Sequence, residues 1–229
     1  MQTTREIYLD ACALIGSALG HHGFKYAKSG PHAKRTHGDF SFAIHFQSSV
    51  YNSAGANVAL WIHAIVRSKR LSAWRAAQPH ALRTDDWVAG GQIGNLRTPH
   101  HWLDINLADA ASRPATILSA VAAVEAFALP LFAAFEDVSG FCERLVTADV
   151  PGMEMPLALE FLLCFADRSA ADTALSRFFQ SRRDLLPDYQ SLLGEFRQRG
   201  LPHFVAGSGF AQELAFATVS YALTPPKVA

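Results

Sequence analysis

The sequence predicts an α+β fold: an N-terminal helix on a four- to five-stranded antiparallel sheet, followed by an all-helical C-terminal region. Three observations carry this. Apolar residues alternate with period two in Phe40-Ser41-Phe42-Ala43-Ile44-His45-Phe46-Gln47 and again from Val58 to Val66. Before them, Ile7, Ala11, Leu14, Ile15 and Ala18 recur at helical spacing. After Asp109, the apolar segments have helical spacing throughout. The change of period divides the chain into a sheet domain over 1–110 and a helical region over 111–229 that docks on it.

The first helix starts at a capping box, Thr3 with Glu6, and runs to about Leu19. Gly20 and Gly23 allow it to stop and hand over to a short strand at Phe24-Lys25-Tyr26. Lys28 to His37 reads as a polar, basic loop. Phe40 to Gln47 is a half-buried strand, Ser48 to Ala56 a turn-rich connection, and Val58 to Val66 the return strand, with Trp61 and His63 on its second face. Lys69 to Ala77 is a short helix broken before Pro79. Trp87 to Ile93 and Trp102 to Leu107 give two further strands around the loop Asn95 to His100.

Ser112 with Pro114 marks the next helix start, and Pro130 must kink or end that helix, since it lacks an amide donor. Asp137 or Ser139 caps a helix to about Val146. Pro156–Ala166, Ser169–Arg182, Pro187–Arg199 and Phe210–Tyr221 complete the helical half, Ser208 serving as an N-cap. Leu157 to Phe179 looks like a helix pair of the tetratricopeptide kind, with small Ala171 and Ala174 at the close approach; fewer than two such units are visible.

Composition narrows the function classes. Half of the 229 residues are hydrophobic and 17% are charged, which favours a large core or a self-association surface and leaves room for a homodimer. With 20 basic and 20 acidic residues there is no global field to attract nucleic acid or an anionic membrane. Cys12, Cys142 and Cys164 are odd in number and lie in apolar helical patterns, as buried thiols of a reducing compartment do. The N-terminus lacks the apolar run of a signal peptide, so a cytoplasmic location is expected. Ala115 to Phe135 is long enough to span a bilayer, but its alanines, Glu125 and Pro130 favour a buried helix.

Several short motifs stand in order: His22-Gly23-Phe24 after the first helix, Phe46-Gln47-Ser48 with nearby Tyr51 and Asn52, Ile93-Gly94-Asn95-Leu96, Trp102-Leu103-Asp104, and Leu129-Pro130-Leu131-Phe132. Together they resemble an uncharacterised bacterial domain-of-unknown-function family over roughly residues 5 to 148. The chain departs from that pattern at Leu103, where the family often has a second tryptophan, and in the loop Lys28 to His37. The resemblance implies a fold and supplies no activity.

Two polar clusters are candidate sites. Gln47, Tyr51 and Asn52, with Ser48, end one strand; Arg97, His101 and Trp102, with His100, occupy a later turn. Were these ends adjacent, they would offer an amide, an aromatic wall and a cation to a small polar ligand or a protein partner. The competing reading is that Gln47 and Asn52 satisfy backbone groups of their own turn and Trp102 fills core.

Ten histidines raise a metal hypothesis through His21-His22, His45 with His63, and His100-His101, but no HExxH, CxxC or regular ligand spacing appears. No metal and no cofactor are expected. Ala89-Gly90-Gly91-Gln92-Ile93-Gly94 lacks the strand and helix of a dinucleotide fingerprint, and Gly207-Ser208-Gly209 lacks the spacing of a nucleophile elbow. The function expected is a non-catalytic binding or protein-interaction module, of which an immunity or accessory protein in a bacterial system is one kind. The alternative is a hydrolase-like enzyme on a small polar substrate, using His45, His63, His100 or His101 with Asp104.

Overall fold

The computed structural model describes residues 2–53, 55–203 and 207–226. The chain forms two compact units, Met1–Arg67 with Ala89–Glu136, and Ser68–Val88 with Asp137–Ala229.

The first unit holds the sheet. Helix α1 (Thr4–Ala18) begins at the predicted capping box, with both reciprocal bonds between Thr3 and Glu6 formed, and buries Ile7, Tyr8, Ala11, Cys12 and Ile15. Its Gly16 lies under the ring of Tyr26, where an added Cβ would stand 2.4 Å from Cδ2, so this position admits only glycine without displacement. The strands are β1 (Lys25–Ala27), β2 (His32–His37), β3 (Phe40–Ser48), β4 (Ala59–Ser68), β5 (Trp87–Gln92) and β6 (Ile105–Asn106). They form one sheet in the order β1-β2-β3-β4-β5, with β6 also paired to β4. An N-terminal helix, an antiparallel sheet and a helical C-terminal region are thus as the sequence predicts.

Two local expectations are corrected. The basic segment Lys28 to His37 is not all loop: His32–His37 pairs antiparallel with β3 in the register His32↔His45 to His37↔Phe40. The expected strand Trp102 to Leu107 shrinks to Ile105–Asn106, paired with Leu60 and Ala59, and the residues before it form an irregular loop.

Phe40, Phe42, Ile44 and Phe46 of β3 and Leu60, Ile62, Ala64 and Val66 of β4 point into the core. Helices α3 (Arg113–Ala123) and α4 (Leu129–Ala134) belong to the same unit, with a π-helical turn, Val124–Ala128, between them. Phe132 packs on Phe24 and Phe42, and Phe135 on Phe40. Arg35 reaches from β2 over the rings of Phe24 and Phe42 and pairs with Glu136 at 2.7 Å.

The span Arg113–Ala134 is long and apolar enough to cross a membrane by length and composition. It is not the fully buried helix expected: Ala120, Val124, Ala128, Leu131 and Phe132 are buried, while Leu118 is 70% exposed. The alanines of the outer side explain this, since small side chains expose little apolar area.

The second unit contains α2 (Lys69–Ala76), α5 (Val138–Thr147), α6 (Met155–Phe165), α7 (Arg168–Ser181), α8 (Leu186–Arg199) and α9 (Phe210–Ser220). Asp137 caps α5 as predicted, and Ala171 and Ala174 are wholly buried. The N-cap of α9 is Gly209, not Ser208; Glu213 of the first turn instead accepts from the amide of Gly207. Cys12, Cys142 and Cys164 are buried and form no disulfide among the described residues, and burial pushes Cys142 up to about 11.

Candidate functional site

The face of the sheet opposite the core carries the site. Strand alternation fixes its members: His32, Lys34 and Thr36 on β2, their direct partners His45, Ala43 and Ser41 on β3, and Trp61, His63, Ile65 and Arg67 on β4. The rings of His32 and His45 stack at 5.4 Å, as directly opposed residues of an antiparallel pair can.

Trp102 completes this face from the loop before β6. Its indole meets Trp61 edge-on at 5.8 Å and His63 edge-on at 6.0 Å, yet Trp102 remains 47% exposed. The loop that presents it is tightly held. Buried Gln92 donates from Nε2 to the carbonyl of Leu103 and accepts at Oε1 from the amides of Gly94 and Leu103. The amide of His101 donates to the carbonyl of Gly94, and His100 Nδ1 lies 2.7 Å from the carbonyl of Asn95. Gly94 is demanded by this closure: a Cβ there would stand 1.9 Å from the His101 carbonyl oxygen. On the other side, Trp61 Nε1 donates to Asp104 Oδ1 at 2.8 Å. An exposed indole on a support of this kind loses little conformational freedom on binding.

The face favours the neutral form of two of its imidazoles, His45 and His63. His45 is depressed below the ordinary imidazole range, first by burial and then by His32, Arg67, His63 and Lys34. Burial likewise lowers His63, whose Nε2 is shielded from solvent without a hydrogen-bond partner, as is Ser41 Oγ. Lys34 is an exposed cationic side chain of this face, and Asp104 accepts from Trp61 beside it.

The six residues singled out from the sequence fall in three places. Gln47, Tyr51 and Asn52 lie at the β3–β4 connection. There Asn52 donates to Ser48 Oγ and accepts from the amide of Ala59, Gln47 is exposed, and Tyr51 is 86% exposed. Asn106 meets Asn52 in function, accepting from the amide of Val58 one residue earlier. Arg97 lies over the ring of Phe127 at 5.4 Å. His101 is exposed, and its backbone closes the Gly94 turn. Of the six, Trp102 packs on the aromatic residues of the face, and Gln47, two residues beyond His45 on β3, lies at the end of the same face. Because Ile105 pairs with Leu60, Trp102 runs alongside His63, about four residues or 13 Å along β4 from the Asn52 end.

From the sequence, His63 is a candidate only as a metal ligand or catalytic histidine, and Trp61 and Gln92 are not marked as site residues. Their alternation was legible, but their partners are distant in the chain: Trp61 and Asp104 are 43 residues apart. A separate grouping, His21 and His22 with Glu125, sets three metal-competent side chains within 4.8 Å of one another. Comparison with family models, curated proteins and solved structures finds no match to this chain.

Proposed function

We propose that the chain is a non-catalytic protein-interaction module whose sheet face, anchored on Trp102, receives an acidic segment of a partner protein. The observation that supports this most is the half-exposed indole of Trp102 on a loop pinned by Gln92 and Gly94. Tryptophan is enriched among the residues that carry most of the binding energy at interfaces, where truncating one typically costs about 2 kcal/mol or more. The acidic character rests on charge complementarity with Lys34, which is exposed on β2 and bears on His45.

A catalytic reading draws no comparable support from this face. Asp104 accepts from an indole, and the neighbour of His63 is an aromatic edge. General acid–base chemistry needs an imidazole within hydrogen-bond reach of the group it serves.

The test uses immobilised synthetic peptides, each acidic sequence paired with the same sequence carrying Asn and Gln for Asp and Glu. The proposal expects a subset of acidic peptides to bind and their neutral counterparts to fail, with binding weakened by Lys34→Glu. Equal binding of acidic and neutral versions, or binding confined to nucleic acid probes run in parallel, overturns it.

A further inference from the structure

We infer that His21, His22 and Glu125 form a divalent transition-metal site, at a place in the first unit distinct from the Trp102 face. Three features of the chain converge there. Leu19–His22 is a 3-10 turn continuing α1, ended by Gly23 in the left-handed region, and it sets the two imidazoles side by side with ring centroids 3.8 Å apart. Glu125 comes from the other end of the unit's sequence. It sits in the π-helical turn before Pro130, where the amide of Leu129 bonds back to the carbonyl of Val124. Single π turns of this kind recur at functional sites because they re-aim side chains on an otherwise regular helix.

The donor chemistry is that of a metal site. His21 Nδ1 lies 2.6 Å from the carbonyl oxygen of Ala18, and a carbonyl only accepts, so Nδ1 carries the proton. Nε2 is then the nitrogen left to meet a metal, and a bond from Nδ1 to a backbone carbonyl is the usual outer support of a metal-ligating histidine. His21 Nε2 lies 3.5 Å from Glu125 Oε1, and His22 Nε2 lies 3.1 Å from the same oxygen.

The spacing suits a metal ion. Zinc binds imidazole nitrogen and carboxylate oxygen at about 2.0–2.2 Å, which puts tetrahedral ligands about 3.3–3.6 Å apart. Two imidazoles and one carboxylate leave a fourth position to water. The His21 side chain is 62% exposed, so an ion reaches the site from solvent.

The experiment is calorimetric titration of the full chain with zinc chloride. One saturable site is expected, retained in His32→Ala/His45→Ala, lost in His21→Ala/His22→Ala, and weakened by more than about tenfold in Glu125→Gln. Circular dichroism confirms that each variant is folded. Cobalt(II) should give the intense visible absorption of a tetrahedral N/O site in the wild type and not in the His21/His22 variant. No saturable zinc site in the wild type, or undiminished binding in His21→Ala/His22→Ala, overturns the assignment.

Discussion

Arg75 and Glu160 are 85 residues apart in sequence and meet in the core of the second unit, Nε to Oε2 at 2.7 Å, with both side chains fully buried. Around them, Tyr221 donates its hydroxyl to Glu160 Oε1 at 2.6 Å, and the amide of Leu82 donates to the same oxygen. Arg75 Nη1 also donates to the carbonyls of Asp85 and Trp87. Nη2 lies 2.6 Å from Oε2, close enough for the ion pair though turned out of line for a hydrogen bond. Burial pushes the Glu160 carboxyl up, toward the neutral acid, and Arg75 and Tyr221 act against this. The pair ties the short helix α2 to α6.

Removing one partner therefore strands a charge in the core. Glu160→Ala is expected to destabilise the second unit by about 3–5 kcal/mol. Arg75→Met should cost nearly as much, and the double variant much less than the sum. Urea denaturation followed by far-ultraviolet circular dichroism measures all three; additive losses would contradict the coupling.

The histidines of the sheet face make stability depend on pH. His45 and His63 both titrate below their ordinary value, burial being the first cause in each. The folded state thus binds fewer protons than the unfolded state as acid is added. Stability from these groups is complete above the unfolded imidazole value of about 6.5 and is lost as pH falls through the lower folded values. The urea midpoint should drop between about pH 7 and pH 5, and His45→Gln/His63→Gln should flatten that drop. A midpoint that rises over the same interval would contradict the assignment.

Gly94 is the hinge of the Trp102 loop. Gly94→Ala drives a Cβ into the His101 carbonyl, which belongs to backbone and cannot swing aside. A cost of about 1–3 kcal/mol is expected, as for other overpacking substitutions. Amide exchange at His101 and Leu103 should accelerate, since their bonds to Gly94 and Gln92 close the turn. Unchanged exchange at both amides would show that the loop is held by something else.

The strands β3 and β4 were legible because one face is buried and the other is not, which writes itself into period two at Phe40 to Phe46 and Leu60 to Val66. Strand β2 was not, because of its six residues only Ala33 is buried; its extended form comes from pairing with β3, a long-range effect that leaves no alternation in the local sequence. The site follows the same division. Trp102 stood out as a tryptophan in a polar turn. The roles of Gln92 and Gly94 depend on contacts across the loop that residue type alone does not encode. Glu125 was visible as the lone charge of an apolar helix, while its two histidine neighbours lie about a hundred residues earlier.

The central claim is that the Trp102 indole anchors an acidic segment. It is tested most directly by titrating the wild-type chain and Trp102→Ala, each shown to have the same urea midpoint, with the tightest acidic peptide from the paired set. The account predicts at least about a tenfold loss of affinity in Trp102→Ala, together with a change in tryptophan emission on binding to the wild type. Equal affinity of the two proteins for that peptide would contradict it.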